Sequence, residues 1–247
     1  MFWLSISGRT NEFIGGIVSS EDVIYFLTVI GLFLGLSILR FRAVRQKTRR
    51  SVSLARYTLV VGSAVMIGYL SSRPVFMYYY DATRTKLRTL TKASQDIVNK
   101  AEGGLTITTY ANALDEDRLL IFGMPMFELE TVKMYREYLR FKPEIKMNYV
   151  RYYAKGNNER SLNQRYPALN DKQRVGKIAQ TYGVDSTMFV PVNEIGSIKE
   201  TLANEQFRHV KVLKRDNGRQ AVLRIFDDPM LFPSESEISA AIKRLVT

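Results

Sequence analysis

Two long stretches of the chain carry no polar period. Residues 23–39 run from Val23 to Leu39 without a charge, and a helix of that length covers about 26 Å, the short end for a bilayer span. Residues 57–72 form a second uncharged run, which Arg73 and Pro74 interrupt before Val75 to Tyr80 continue apolar and aromatic. Both runs are apolar on every face and lack the polar stripe of a surface helix. They predict a transmembrane hairpin over 21–80 rather than two core helices. The Tyr78-Tyr79-Tyr80 triplet suits an interfacial aromatic belt. Glu12, Glu21 and Asp22 precede the first run in place of a basic n-region, which argues against a cleavable signal peptide.

Beyond residue 81 the pattern turns amphipathic. A helix is predicted over 89–101, capped by Thr89 or Thr91, with Leu90, Ile97, Val98 and Ala101 inward and Gly103-Gly104 as its stop. Leu105 to Tyr110 alternates as a strand. Pro125 opens a predicted helix over 126–141 in which Leu129, Val132, Tyr135 and Leu139 share one face. Residues 145–153 alternate again, with Ile145, Met147 and Tyr149 together. Residues 154–170 are polar and irregular and read as a surface loop. A third helix spans 171–182, with Val175, Ile178, Ala179 and Tyr182 inward and Gly183 as its C-terminal stop. Thr187 to Val192 reads as a buried strand. Two β-rich runs in 210–226 flank Asp216-Asn217-Gly218, which predicts a hairpin with a type I′ turn. Ser234 and Glu237 form a capping box for a last helix with Ile238, Ala241, Ile242 and Leu245 on one face. The order α-β-α-β-α-β-β-β-α predicts a membrane-anchored α/β fold: a two-helix hairpin, then a mixed sheet with helices on its faces, compatible with a thioredoxin-like arrangement.

Charge sets the orientation. The formal net charge of +12 divides equally between residues 1–80 and 81–247. Arg40, Arg42, Arg45, Lys47, Arg49, Arg50 and Arg56 crowd residues 40–56 without an acid, and basic short loops stay cytoplasmic. Residues 1–20 and 81–247 are then extracytoplasmic, although Arg84, Lys86, Arg88 and Lys92 follow the second span closely. Arg73 either snorkels to the headgroups or pairs with a partner inside the membrane.

Catalytic chemistry is sparse. With no cysteine, disulfides, thiolate metal sites and a redox Cys-x-x-Cys are excluded. His209 is the one histidine and lies beside a strand. No P-loop, Gly-x-Gly-x-x-Gly, His-Glu-x-x-His or Gly-x-Ser-x-Gly motif occurs. Asp115-Glu116-Asp117 and Asp227-Asp228 have the chemistry to hold a metal, but each suits a solvated loop better. Tyr149 to Tyr153 with Arg151 and Lys155 mixes aromatics with base, as a nucleic-acid platform would, and alternating strand faces explain it equally. We therefore expect no catalytic residue, no cofactor, no metal and no nucleic-acid partner.

Two segments resemble known proteins. Ser19-Ser20-Glu21-Asp22-Val23-Ile24-Tyr25-Phe26-Leu27, running into Leu32-Phe33-Leu34 and then Arg40, resembles the last transmembrane helix of ABC type-2 exporter permeases. Asp81-Ala82-Thr83-Arg84-Thr85-Lys86-Leu87-Arg88-Thr89-Leu90-Thr91 resembles the signature after the first membrane helix of GldG-type auxiliary subunits of gliding-motility ABC transporters, with Ala82, Arg88 and Thr91 as departures. Gln220 to Ile225 and Glu235 to Leu245 resemble that family's later strand and helix. The resemblance implies a permease tail fused to an auxiliary subunit, and a fragment of a longer protein. It implies a multi-pass protein of the bacterial inner membrane with a periplasmic C-terminal domain. It also implies a non-catalytic role beside an ABC permease and a separate ATPase subunit, with membrane lipid and an extracytoplasmic partner or cargo. The alternative is a membrane-tethered extracytoplasmic enzyme or redox-like domain. Arg73, Asp81, Thr83, Lys86 and Arg88 are the candidate residues for coupling membrane to domain.

Overall fold

The computed structural model describes residues 10, 13–46, 49–73, 76–86, 88–115, 118–156, 160–224 and 232–246. The chain divides into two compact units, Met1–Thr89 and Leu90–Thr247.

The first unit holds strand β1 (Ile17–Ser19), helix α1 (Ser20–Arg45), helix α2 (Arg50–Ser71) and strand β2 (Tyr79–Asp81). Ser19 caps α1: its hydroxyl accepts the Asp22 amide at 3.1 Å and donates to the Asp22 carboxylate at 2.6 Å. Glu21 and Asp22 in the first turn and Arg42 and Arg45 in the last complement the helix dipole. At about 1.5 Å per residue, the 26 and 22 residues of α1 and α2 exceed the hydrocarbon thickness of a bilayer. Their most apolar windows are only 11% and 6% buried. The core helix of a soluble domain would be covered, so these two helices are long and apolar enough to cross a membrane and have their apolar surface open. They touch closely at Gly35, where an added Cβ would lie 3.2 Å from Val60. The basic stretch expected as a loop is mostly helical: Arg40, Arg42 and Arg45 end α1, and Arg50 and Arg56 begin α2.

The second unit contains α3 (Lys92–Lys100), β3 (Leu105–Asn112), α4 (Glu128–Met134), α5 (Arg136–Phe141), β4 (Lys146–Tyr153), α6 (Arg160–Arg165), α7 (Asp171–Tyr182), β5 (Val190–Pro191), α8 (Ile198–Asn204), β6 (Val210–Arg215), β7 (Gln220–Leu223) and α9 (Glu235–Val246). The sheet order is β5-β4-β3-β6-β7. β3 and β4 pair in parallel, as do β4 and β5, while β6 is antiparallel to both β3 and β7. This is the mixed sheet expected. Odd-numbered β3 residues Leu105 and Ile107 pack with Leu213, Val98 of α3, and Ile238 and Ile242 of α9. On the opposite face Val210, Val212 and Tyr152 enclose Leu202 of α8. A third cluster joins Leu114, Met124 and Leu162 to Val175 and Ala179 of α7.

Several boundaries hold and several do not. Thr91 caps α3, its hydroxyl accepting the Ser94 amide. α7 covers the expected residues, with Gly183 left-handed at φ 64°. Ser234 and Glu237 exchange the bonds of a capping box. The helix expected over 126–141 is broken at Tyr135 into α4 and α5, after a 3₁₀ turn at Pro125–Phe127. The break rotates the apolar stripe: Tyr135 is fully buried while Leu129 is 75% exposed. The loop 154–170 contains α6, with Leu162 buried. The strand expected over 187–192 shrinks to two residues between 3₁₀ turns. The β6–β7 turn is not type I′, because Gly218 (φ 86°) is left-handed and Asn217 is not. The Gly218 amide donates to the Arg215 carbonyl and the Arg215 amide to the Arg219 carbonyl, the pattern of a type I turn closed by a G1 bulge.

Candidate functional site at the hairpin exit

The candidate coupling residues fall in the first unit, where the chain leaves α2. Ser72 ends that helix, its hydroxyl donating to the Gly68 carbonyl at 2.9 Å and to the Glu21 carboxylate of α1 at 3.3 Å. Ser20 ties the same two ends. Its hydroxyl donates to the Phe76 carbonyl and accepts the Tyr78 amide, each at 2.9 Å, and its own amide donates to the Tyr78 carbonyl at 2.8 Å. β1 and β2 then pair antiparallel, Ile17 opposite Asp81 and Ser19 opposite Tyr79. The ribbon is closed by the Ala82 amide donating to the Gly16 carbonyl at 2.8 Å. Gly16 has φ +79°, and a Cβ there would meet Thr83 Cγ2 at 2.6 Å, so this position requires glycine.

Asp81 is 6% exposed and organises the turn that follows. One carboxylate oxygen accepts the Thr83 amide at 2.9 Å and the Thr83 hydroxyl at 2.5 Å. The other accepts the Arg88 amide at 3.2 Å and the Thr89 hydroxyl at 3.0 Å. The Thr83 hydroxyl, joined by the two amides and Thr89 and opposed by desolvation, holds the Asp81 carboxyl down at about 2. The carboxylate is therefore ionised at any physiological pH.

Lys86 and Arg88 each meet Asp81 through one backbone group. The Lys86 ammonium donates to the Asp81 backbone carbonyl and lies 4.7 Å from the Tyr80 ring centroid. Arg88 contributes its amide. Lys86 adopts φ 53°, a left-handed conformation that a residue with a Cβ takes only when neighbours hold it. Arg73 stands apart from this turn, its guanidinium 4.2 Å from the Tyr69 ring centroid one helical turn back. Asp81, Thr83, Lys86 and Arg88 thus meet in one turn, and Arg73 does not join them. Gly16, Ser20, Glu21, Ser72 and Thr89 belong to the same construction. The Ser19–Asp22 spacing was the readable signal for the α1 end.

The other candidate chemistry lies in the second unit. Asp115 accepts the His209 amide at 3.2 Å, while Glu116, Asp117, Asp227 and Asp228 lie outside the described residues. No group of three potential metal ligands occurs among the described residues. Tyr152 is core, Arg151 pairs with Glu128 and donates to the Gly123 carbonyl at 2.8 Å, and Lys155 faces Asp171 at 3.8 Å. Arg151 and Tyr152 of β4 are therefore engaged within the fold.

One cluster went unnoticed in the sequence. Lys211 is 3% exposed on β6, directly opposite Thr109, whose buried hydroxyl has no hydrogen-bond partner. Its ammonium lies 5.6 Å from the Phe232 ring centroid, and Phe232 packs edge-on against Tyr135 at 5.1 Å. Burial pulls the Lys211 ammonium down to about 8. Burial, with Lys211 second, pulls the His209 imidazole well below its ordinary value; both enclosed ring nitrogens lack hydrogen-bond partners. A lysine in an alternating strand reads as solvent-facing, which hid it.

No family model, no curated protein and no solved structure matches the chain.

Proposed function

We propose that the protein is a non-catalytic accessory component of an ABC-type export or gliding-motility complex. α1 and α2 span the bacterial inner membrane as a hairpin, and Leu90–Thr247 lies on the periplasmic side. The observation that carries this reading is the clasp at the hairpin exit. Ser20, the β1–β2 ribbon and Asp81 fix both helix ends at one place and set the turn from which the α/β domain departs. Such a clasp holds the exit in a defined conformation, as a coupling element requires. Orientation follows from the basic turn of the hairpin, which stays cytoplasmic. The sheet order, with parallel strands β5-β4-β3 on one side and the antiparallel β6–β7 hairpin at the other edge, supports a thioredoxin-like assignment. ATP hydrolysis belongs to a separate subunit, and the outer domain binds a partner or cargo.

The test is assembly. Asp81→Ala combined with Lys86→Ala removes the carboxylate and the ammonium from the turn, while every member of the three domain clusters lies at residue 90 or beyond. The double variant should insert and keep its domain fold by circular dichroism. It should also lose most of the ATP-hydrolysing complex that the wild-type chain co-purifies from native membranes. Wild-type recovery of that complex would refute the coupling role. A purified wild-type chain that turns over substrate unaided would favour a tethered enzyme.

A further inference from the structure

From residue 23 to residue 80 the chain holds no aspartate or glutamate. Arg40, Arg42, Arg45, Arg49, Arg50 and Arg56 nevertheless gather at the turn end of the hairpin, and none makes an ion pair with a described residue. Arg42 and Arg45 complement the C-terminal dipole of α1, but Arg50 and Arg56 begin α2, where the dipole is already positive. α2 has no acid in its first turn and no side-chain cap at Arg49. The charge at this end is thus uncompensated by an ion pair with any described residue.

Two of these arginines converge. Arg42 of α1 and Arg56 of α2 line one cleft between the helices, together with Leu39, Ala43, Ser53 and Tyr57. The lining is amphipathic: two guanidiniums and two hydroxyl-bearing residues alongside apolar ones. Arg40 also lines a shallow, mostly apolar trough along α1 with Phe33, Leu36, Ser37, Phe41 and Val44. Guanidinium groups bind phosphate oxygens in a planar, bidentate geometry. A free phosphate satisfies the charges and leaves the apolar lining bare, whereas an anionic phospholipid covers both.

We infer that the exposed guanidiniums of Arg42 and Arg56, at the rim of this narrow cleft, bind the phosphodiester headgroup of an anionic phospholipid, whose acyl chains follow the apolar surface of α1. The inference rests on the membrane reading above, and its test separates the two. The full chain is reconstituted into phosphatidylglycerol–phosphatidylcholine vesicles and washed with carbonate to establish insertion. In detergent it is then titrated with phosphatidylglycerol or phosphatidylcholine, and bound lipid is counted by native mass spectrometry. Two cations at a lipid surface should favour phosphatidylglycerol by about thirtyfold. Arg42→Gln with Arg56→Gln should abolish that preference. Arg45→Gln with Arg50→Gln, an equal loss of charge outside the cleft, should leave it intact. Equal loss in both pairs would reduce the site to diffuse attraction and overturn the inference. So would displacement of the lipid by inorganic phosphate, which would mark a soluble-anion site. A chain that resists carbonate yet shows no lipid preference defeats this inference alone; a chain that carbonate extracts defeats the membrane reading with it.

Discussion

Lys211 illustrates what a single side chain costs when the fold encloses it. Its folded pKa of about 8 lies below the ordinary 10.5 because burial disfavours the charged form. Below pH 8 both folded and unfolded chains carry the proton, and the penalty is fully present. Between pH 8 and 10.5 only the unfolded chain binds it, so stability rises with pH across that window. Lys211→Met fills the same volume without the charge and should stabilise the domain by about 2 kcal/mol at pH 7, a gain that fades towards pH 10.5. Denaturant melts of the full chain in detergent at the two pH values check this, and a pH-independent gain would show that packing, not charge, is the cause. The same scale shows what the sequence hid. The Asp81 carboxylate takes its partners from backbone amides and neighbouring hydroxyls, which leave no charge pattern to read.

Among elements, those with strong end signals were legible and those with few buried residues were not. α7 carries a capping box between Asn170 and Gln173 and a left-handed Gly183, and its bounds follow from them. α8 buries only Leu202, which leaves no repeating stripe to read. The α4–α5 break arises at Tyr135, whose ψ of 12° ends one helix and begins the next, and no proline or glycine announces it. The β6–β7 turn was recognised by its Asn-Gly pair yet assigned the wrong geometry, because the same pair serves both turn types and the loop is one residue longer. Gly218 alone needs the left-handed region there. Gly218→Ala should therefore destabilise the domain by about 1–2 kcal/mol, measured as a shift in the denaturation midpoint. An unchanged midpoint would mean that the turn relaxes to another form.

For the whole molecule, two long apolar helices followed by a mixed α/β sheet were plain from hydropathy and periodicity. The clasp between the hairpin ends was not plain, because the Ser20 hydroxyl, 56 and 58 residues from its two partners, leaves no local pattern. The absence of cysteine provides a clean background for testing sidedness. Ser51→Cys lies in the first turn of α2 and Lys172→Cys on the exposed side of α7. In intact cells an impermeant thiol reagent should modify the cysteine at 172 and spare the one at 51 until the membrane is opened. Modification of position 51 from outside would invert the topology.

The β1–β2 ribbon also has a mechanical consequence. Its strands run antiparallel, with Ser19 and Tyr79 at the helix end and Ile17 and Asp81 at the far end. Tension applied to the chain beyond Asp81 runs along β2, across rather than along the hydrogen bonds that join it to β1. Those bonds are loaded together in shear, and part of the load passes through β1 into α1 while the rest follows the covalent chain into α2. A tug on the domain is therefore shared by two helices, although only one is joined to it directly by the chain.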